Sequence, residues 1–373
     1  MTSRRAVLQS LAALSLGACV SGPRGATRNY TPSGLPLRRV LVSPDRVIRT
    51  VTGLRPFRPS GFVVRADRLD DKLLIHNYGH GGGGITLSWG TAHMAAELAQ
   101  QSGHRRCAVL GSGAVGLASA RLLQRYGWDV TIHTRDLPPE TTSNIAGAQW
   151  SPASFYDSDA VGPAFYHDVD VALRHAYTEF QRLVGARYGV RWISNYLLSE
   201  RPIDAGDIRL RYADVFPELY DMDSSQHPFP TAHALHFDTM FIEPPVYLPA
   251  MMRDFRAAGG TFVIREFVDT ADVATLDAPV IINCTGLGTR ALFGDEELIP
   301  IKGQLVVLKP QADINYLMIS NGFYMFPRTD GVLLGGTFER NEWSLAPDPD
   351  ATRRILDQHA AFFRGMDDPW AVV

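Results

Sequence analysis

The sequence predicts an α/β fold of two domains, and three observations carry that expectation. A strand, a glycine turn, a helix and a second strand follow one another over residues 107–134, and a further apolar strand runs into a glycine turn at residues 280–286. Between them lies a less regular stretch rich in aromatic residues and proline. A chain of 373 residues, 45% of them hydrophobic, is long enough to fill two cores. The formal net charge of −3 and the lack of a dense Lys/Arg block beyond the first residues argue against nucleic acid as a ligand. The three cysteines, Cys19, Cys107 and Cys284, have neither metal-ligand spacing nor the density of a disulfide framework.

In chain order, residues 1–22 read as a signal segment. Arg4-Arg5 precedes a short apolar run that ends at Leu16-Gly17-Ala18-Cys19. The paired arginines suggest the twin-arginine export route, which carries proteins already folded around a cofactor. Leu16 to Cys19 resembles a lipobox, which would make Cys19 a lipidated residue anchoring an exported, periplasmic protein to a membrane. The alternative is an Arg-Arg pair without that meaning, in a cytoplasmic protein. Residues 23–48 read as a linker, its early part rich in Gly, Pro, Arg and Thr.

Gly53-Leu54-Arg55-Pro56-Phe57-Arg58-Pro59 holds an arginine stiffly between prolines and apolar residues. Next, His76-Asn77-Tyr78-Gly79-His80-Gly81-Gly82-Gly83-Gly84-Ile85-Thr86 leads into a helix expected over Trp89 to Leu98, with Gly103 as its stop. Four glycines before a helix allow a ligand to approach the backbone closely, and the helix start offers it unpaired N–H groups and a positive dipole end. His76, His80 and His93 do not make a metal site on this reading.

The strand Cys107 to Leu110 is followed by Gly111-Ser112-Gly113-Ala114-Val115-Gly116, a helix to about Tyr126, and a strand over Trp128 to Thr134. Gly111 makes the tight turn, Gly113 admits a pyrophosphate to the backbone, and Gly116 lets the helix pack on the sheet. Asp136, about 20 positions further on, completes a dinucleotide fingerprint. Further helices are expected at Ala164 to Val184 and Tyr247 to Ala258, then strands at Thr261 to Ile264 and Val280 to Asn283. The nucleotide domain is therefore discontinuous.

On these residues the chain resembles the D-amino-acid oxidase family from about Arg49 onward. In that family the dinucleotide turn opens the chain and the His-Gly segment closes it, so the order here reads as a circular permutation joined at about residues 100–105. Its new ends, Val373 and the segment before Arg49, should then lie near one another. The resemblance implies an FAD-binding Rossmann-like domain, residues 49–155 and 243–300, and a mixed-sheet substrate domain, residues 156–242 and 301–373. Thr134-Arg135-Asp136-Leu137-Pro138 resembles an adenosine-contacting turn, and Asn144 to Pro152 a stretch lining the isoalloxazine. The FAD contacts implied are Gly53, Gly81, Gly82, Gly83, Gly84, Ile85, Thr86, Gly111, Gly113, Val115, Gly116, Arg135, Asp136, Thr142, Ser143, Gly147, Ala148, Gln149, Val268 and Thr285. The Thr86 hydroxyl is expected to donate to a flavin carbonyl.

The resemblance further implies that Arg55 binds a substrate carboxylate, assisted by the Tyr324 hydroxyl. The alternatives are an ion pair within the fold for Arg55 and core packing for Tyr324; Arg58, without a matched role, is expected in such an ion pair. The activity implied is oxidative deamination of D-amino acids. A hydride passes from Cα to flavin N5, the imino acid so formed is hydrolysed by water to a 2-oxo acid and ammonia, and molecular oxygen reoxidises the flavin and becomes hydrogen peroxide. Two departures stand out: Phe338 replaces a tyrosine and Gly82 a serine of yeast-type members. The short segment between Lys309 and Phe323 argues against a long lid. Other readings keep the flavin and change the chemistry: a glycine or sarcosine oxidase, a quinone-linked dehydrogenase, or a non-catalytic flavin-binding lipoprotein.

Overall fold

The computed structural model describes residues 37–368, so the signal segment, Cys19 and Val373 lie outside the described residues. In chain order the elements begin β1 (Val47–Phe57), β2 (Val63–Leu69), β3 (Lys72–Tyr78), α1 (Gly84–Gln100), β4 (Arg106–Leu110), α2 (Ala114–Arg125) and β5 (Asp129–Thr134). The middle comprises α3 (Pro163–Arg182), β6 (Val190–Ser199), α4 (Ile208–Arg211), β7 (Tyr220–Asp223), β8 (His233–Ile242), α5 (Pro244–Ala257), β9 (Thr261–Ile264), α6 (Thr270–Ala274), β10 (Val280–Asn283) and α7 (Gly288–Phe293). Last come β11 (Ile299–Leu308), β12 (Tyr316–Ser320), β13 (Phe323–Arg328), β14 (Gly331–Gly335), β15 (Glu339–Arg340) and α8 (Pro349–Gly365).

These form two sheets. The smaller has six strands in the order β2-β3-β10-β4-β5-β9, parallel except for β2 at the edge. Its inner strands, β4 and β10, are near-continuous apolar runs because helices cover both faces. Ile75, Val109, Val130, Ile132 and Ile282 pack under α1, α2 and α5, while Leu74, Ala108, Leu110 and Ile281 meet Val273 and Leu276 on the other side. The larger sheet has nine strands: β1-β11-β14-β13-β12-β6-β8-β7 with β15 added on β11. One face packs on α8 through Ile355 and Phe363, and the opposite face, with Leu305, Val307, Phe326 and Leu333, turns to the smaller sheet's loops.

A boundary at residue 49 assigns β1 to the nucleotide domain, but β1 pairs along its length with β11 in the larger sheet. The chain's sheet membership changes at the loop before β2. Because β1 is an edge strand, Pro56 costs the sheet no inner hydrogen bond. The helix expected from Trp89 begins at Gly84, directly after a 3-10 turn over Gly81–Gly83, so the glycines are its first turns and not a separate loop. It ends at Gln100, and Gly103 (φ 73°) turns the chain into β4. At the described ends of the chain, Arg39 Nε donates to the Met366 carbonyl at 2.6 Å and Tyr316 Oη to the Arg38 carbonyl at 2.9 Å.

Candidate functional site

A cavity of about 1460 Å³ opens between the carboxyl ends of the parallel strands and the inner face of the larger sheet. That exceeds the roughly 300–1,000 Å³ of an ordinary small-molecule pocket and leaves room for a large cofactor with a second ligand. At one end lies the dinucleotide turn. Gly111 leaves β4 with φ 100°, its N–H donating to the His133 carbonyl at 2.7 Å, and a Cβ there would stand 2.6 Å from the Cys284 carbonyl oxygen. Gly116 backs onto Gly111: a Cβ would fall on the Gly111 carbonyl, so α2 could not seat against the strand end. Gly116 is thus a packing residue and does not line the cavity, whereas Gly111, Gly113 and Val115 do.

The first N–H of α2, on Ala114, finds the Ser143 hydroxyl at 3.0 Å, an oxygen placed where a phosphate oxygen would be received. Thr142 and Ser143 line the cavity here, with Arg135, Asp136, Thr285 and Val268 beyond. Arg135 and Asp136 form a surface ion pair, Nε to Oδ2 at 2.8 Å. Val268 is 82% exposed at the edge of the cavity. In the middle, Gly147, Ala148 and Gln149 line the wall together with Gly53. Ala148 holds a left-handed backbone (φ 64°), and Gln149 Nε2 donates to Asn195 Oδ1 at 2.9 Å.

The His-Gly segment supplies the facing wall. Gly81, Gly82, Gly84, Ile85 and Thr86 line the cavity, and no side chain caps the N-terminus of α1. Gly82 N–H donates to the Ser154 carbonyl at 2.7 Å, fastening the loop. Gly83 is buried behind the loop against Phe155 and does not reach the cavity. The Thr86 hydroxyl, expected to face the flavin, donates to the Ser151 carbonyl at 3.1 Å and accepts the Ser151 N–H at 3.2 Å. It fastens the neighbouring loop at the cavity wall. His80 is buried, its Nε2 2.9 Å from Thr91 Oγ1, and burial lowers its pKa to about 3. His76 faces Asn283, and burial with the Arg65 charge lowers it to about 4, while His93 stacks on His175. Among the described residues no group of three His, Cys, Asp or Glu side chains is placed to hold a metal ion.

The floor is the inner face of the larger sheet, with Arg55 from β1 and Tyr324 from β13. Among the described residues five arginines line the cavity, and four of them are already engaged. Arg135 pairs with Asp136, Arg209 with Asp207, Arg265 with Asp272, and Arg290 donates to the Glu296 and Leu298 carbonyls. Arg55 has no hydrogen-bond or ion-pair partner among the described residues, and its Nη1 is buried without one. Nor does the Tyr324 hydroxyl bond to any described residue. Arg58 behaves in the opposite way: Nε reaches Asp295 Oδ2 at 2.8 Å and Nη2 Glu297 Oε2 at 2.5 Å. Burial pulls the Asp295 carboxyl up, but the Tyr78 hydrogen bond and the Arg58 charge hold it below the usual range. Arg58 is therefore the ion pair of the fold, and Arg55 is free to bind an anion.

The segment from β14 to α8 closes one side. Thr337 Oγ1 accepts the Gln304 N–H at 2.6 Å, the Thr52 hydroxyl donates to the Leu345 carbonyl, and Arg340 pairs with Asp157 at 2.9 Å. It presents Phe338 (50% exposed) and Trp343 (51% exposed) to the cavity, with Arg55 Cζ 5.9 Å from the Phe338 ring centroid. Residues 309–315 form a short connection before β12 and carry no long lid. Trp343, Leu345, Ile319 and Gly303 are lining residues whose roles no motif spacing announced.

The dinucleotide turn, the Ser143 oxygen at α2 and the uncapped α1 together fit a flavin dinucleotide. A sequence model described as "FAD dependent oxidoreductase" matches residues 25–98 and 106–372, and the chain belongs to that family. It is an FAD-dependent oxidoreductase of the D-amino-acid oxidase type, with the mixed-sheet α/β fold of the family and FAD as cofactor. Among its relatives, it is 32% identical over 258 residues to a D-amino-acid oxidase of Streptomyces coelicolor, covering 68% of this chain and 76% of the relative. It is 27% identical over 263 residues to the D-aspartate oxidase of Homo sapiens, covering 69% and 75%. Among solved structures, the glycine oxidase of Geobacillus kaustophilus superposes with a TM-score of 0.54 at 16% identity, covering 72% of this chain and 81% of that one.

Proposed function

We propose that the protein oxidises D-amino acids to 2-oxo acids, with release of ammonia and reduction of molecular oxygen to hydrogen peroxide. The observation that carries this is the unpaired Arg55 guanidinium on the floor of the cavity that holds the dinucleotide turn. A planar guanidinium offers two parallel N–H donors to a carboxylate, a geometry that lysine cannot reproduce. Tyr324, on β13 with β11 and β14 between it and β1, adds a hydroxyl without a partner among the described residues, so a carboxylate on the floor finds donors from both sides. FAD, when bound, supplies the acceptor for the two electrons leaving Cα. The chain's own residues have a simpler task. Arg55 and Tyr324 fix the substrate by its carboxylate, the apolar floor around Leu305 and Phe326 excludes water, and the α1 N-terminus favours negative charge on the facing wall.

The same reading takes the chain as a circular permutant. Supporting it are the family match that breaks between residues 98 and 106, the Gly103 turn at that point, and the hydrogen bond from Arg39 to the Met366 carbonyl. It also takes residues 1–22 as an export signal with Cys19 as the lipid-bearing residue of a periplasmic protein, on the sequence of that segment. Fractionation of cells expressing the wild type and Cys19→Ser tests this: membrane-bound wild type and released variant are expected, and equal cytosolic protein in both would exclude it.

Oxygen uptake and peroxide formation with a panel of D-amino acids, L-amino acids, glycine and sarcosine tests the activity. Turnover confined to D-amino acids is expected. Glycine or sarcosine as the better donors would replace the proposed substrate, and substrate-driven flavin reduction without oxygen uptake would make the protein a dehydrogenase.

A further inference from the structure

The cavity floor carries glycine at positions where a sheet normally carries branched side chains. Gly303 in β11 and Gly335 in β14 are both buried, and neither backbone adopts a positive φ. Alanine would satisfy the backbone at both positions and would strengthen the strands, since glycine in a strand interior has no side chain to pack. What alanine lacks is room. A methyl at Gly303 would stand 2.7 Å from Arg55 Nη2 and 2.8 Å from its Cζ, and one at Gly335 would stand 2.6 Å from the Tyr324 hydroxyl oxygen and overlap the ring. At each glycine the three nearest atoms all belong to that one side chain. Gly90 and Gly116 differ, since a Cβ there would strike backbone, of Ala172 and Gly111 respectively, which is ordinary packing of elements.

The strand registers produce this arrangement. Gly53 and Gly303 are direct partners across β1 and β11, while Arg55 is paired with Ile301, so the arginine lies diagonally over Gly303 on the same face. Tyr324 and Gly335 are direct partners across β13 and β14, so the ring lies over the bare Cα opposite.

We propose that Gly303 and Gly335 are positioning residues of the carboxylate site: by lacking a Cβ, they let the Arg55 guanidinium and the Tyr324 phenol lie on the sheet. With alanine, both groups would stand off the floor by the thickness of a methyl and would no longer meet one carboxylate together. This rests on the assignment of Arg55 and Tyr324 to the substrate carboxylate. The two positions differ in one respect. The Arg55 head is the free end of a flexible chain and moves aside easily, whereas the Tyr324 ring is stiff and must turn as a whole.

The test uses the flavin-loaded protein and reads KM and kcat for D-alanine, the Kd of benzoate from the change in flavin absorbance, and flavin content. Gly303→Ala and Gly335→Ala are expected to retain flavin and to raise both KM and benzoate Kd at least about tenfold, a displacement of about 1.4 kcal/mol, with a smaller change in kcat. In an Arg55→Ala background Gly303→Ala should change neither value further, and in a Tyr324→Ala background Gly335→Ala should likewise be silent. Wild-type KM and Kd in both glycine variants would overturn the proposal, as would the same loss in the truncated backgrounds. If Gly335→Ala alone yields no flavoprotein, recovery of flavoprotein in Tyr324→Ala/Gly335→Ala supports the proposal, and failure of that pair overturns it. A wild type that binds benzoate through Arg55 but oxidises no D-amino acid would remove the proposed substrate and leave positioning to be decided by the Kd values. Absence of Arg55-dependent benzoate binding would remove both.

Discussion

Arg55→Ala and Arg58→Ala, three residues apart in one strand-and-turn segment, should have opposite consequences. Arg55 has no hydrogen-bond or ion-pair partner among the described residues, so its removal orphans no described carboxylate, and the unfolding free energy should stay within about 0.5 kcal/mol of wild type. What is lost is the fork offered to the substrate. Two charged hydrogen bonds contribute about 1.5–3 kcal/mol each, and because the guanidinium is only half-buried the lower end applies. A loss of about 3 kcal/mol raises KM roughly a hundredfold. Arg55→Lys keeps the charge without the fork and should fall between. Arg58→Ala instead strands the Asp295 and Glu297 carboxylates and should cost about 3 kcal/mol of stability. Steady-state kinetics with D-alanine, flavin content and denaturant unfolding of the three variants read all of these. An Arg55→Ala protein with wild-type KM, or one destabilised as much as Arg58→Ala, would refute the division of labour between the two arginines.

Three other outcomes follow from particular groups. His76 and His80 are held neutral, at about 4 and about 3, against about 6.5 when unfolded, so the unfolded chain binds protons first as pH falls. Their contribution is complete above pH 6.5 and declines below it, by up to about 2 kcal/mol each by pH 5; a denaturation midpoint unchanged between pH 7.5 and 5 would contradict this. Gly116→Ala drives a methyl onto the Gly111 carbonyl and should cost about 1–3 kcal/mol by overpacking, with loss of flavin, which the absorbance ratio of purified protein reports. Cys284 lines the cavity, yet burial pushes its thiol up to about 12, so the Cys284 peptide should remain unalkylated by iodoacetamide at pH 8 in the folded protein. Rapid modification there would show that the strand end opens.

The nucleotide half was legible because its signals are local. An apolar run, a glycine turn and a helical spacing lie within residues 107–134, and each element forms within a residue or two of its expected bounds. The start of α1 was harder to see, since glycine is a poor helix former and four in succession read as loop. Only the 3-10 turn at Gly81–Gly83 and the burial of the segment make them the helix entry. The segment around Arg55-Pro56-Phe57 reads as stiff, with no strand assigned to it, and its place in β1 depends on that strand lying at a sheet edge, where proline is tolerated and which no local pattern states. The same holds for the partners of Arg55 and Arg58: both arginines sit in the same motif, and only the fold brings Asp295 and Glu297 to one and leaves the other bare. Gly303 and Gly335 stand in the sequence beside Gln304 and Gly336 with no hint of what lies over them, because the contact is made across strands.

On the function proposed above, one cavity holds both the cofactor and the carboxylate-binding pair, Arg55 and Tyr324. Anaerobic titration of the purified yellow protein with D-alanine, followed at the flavin absorbance, decides it. Bleaching of the wild type at low substrate, shifted to roughly hundredfold higher concentration in Arg55→Ala, is the predicted result. A flavin that stays oxidised with every D-amino acid tried, or one that bleaches equally well without Arg55, would contradict it.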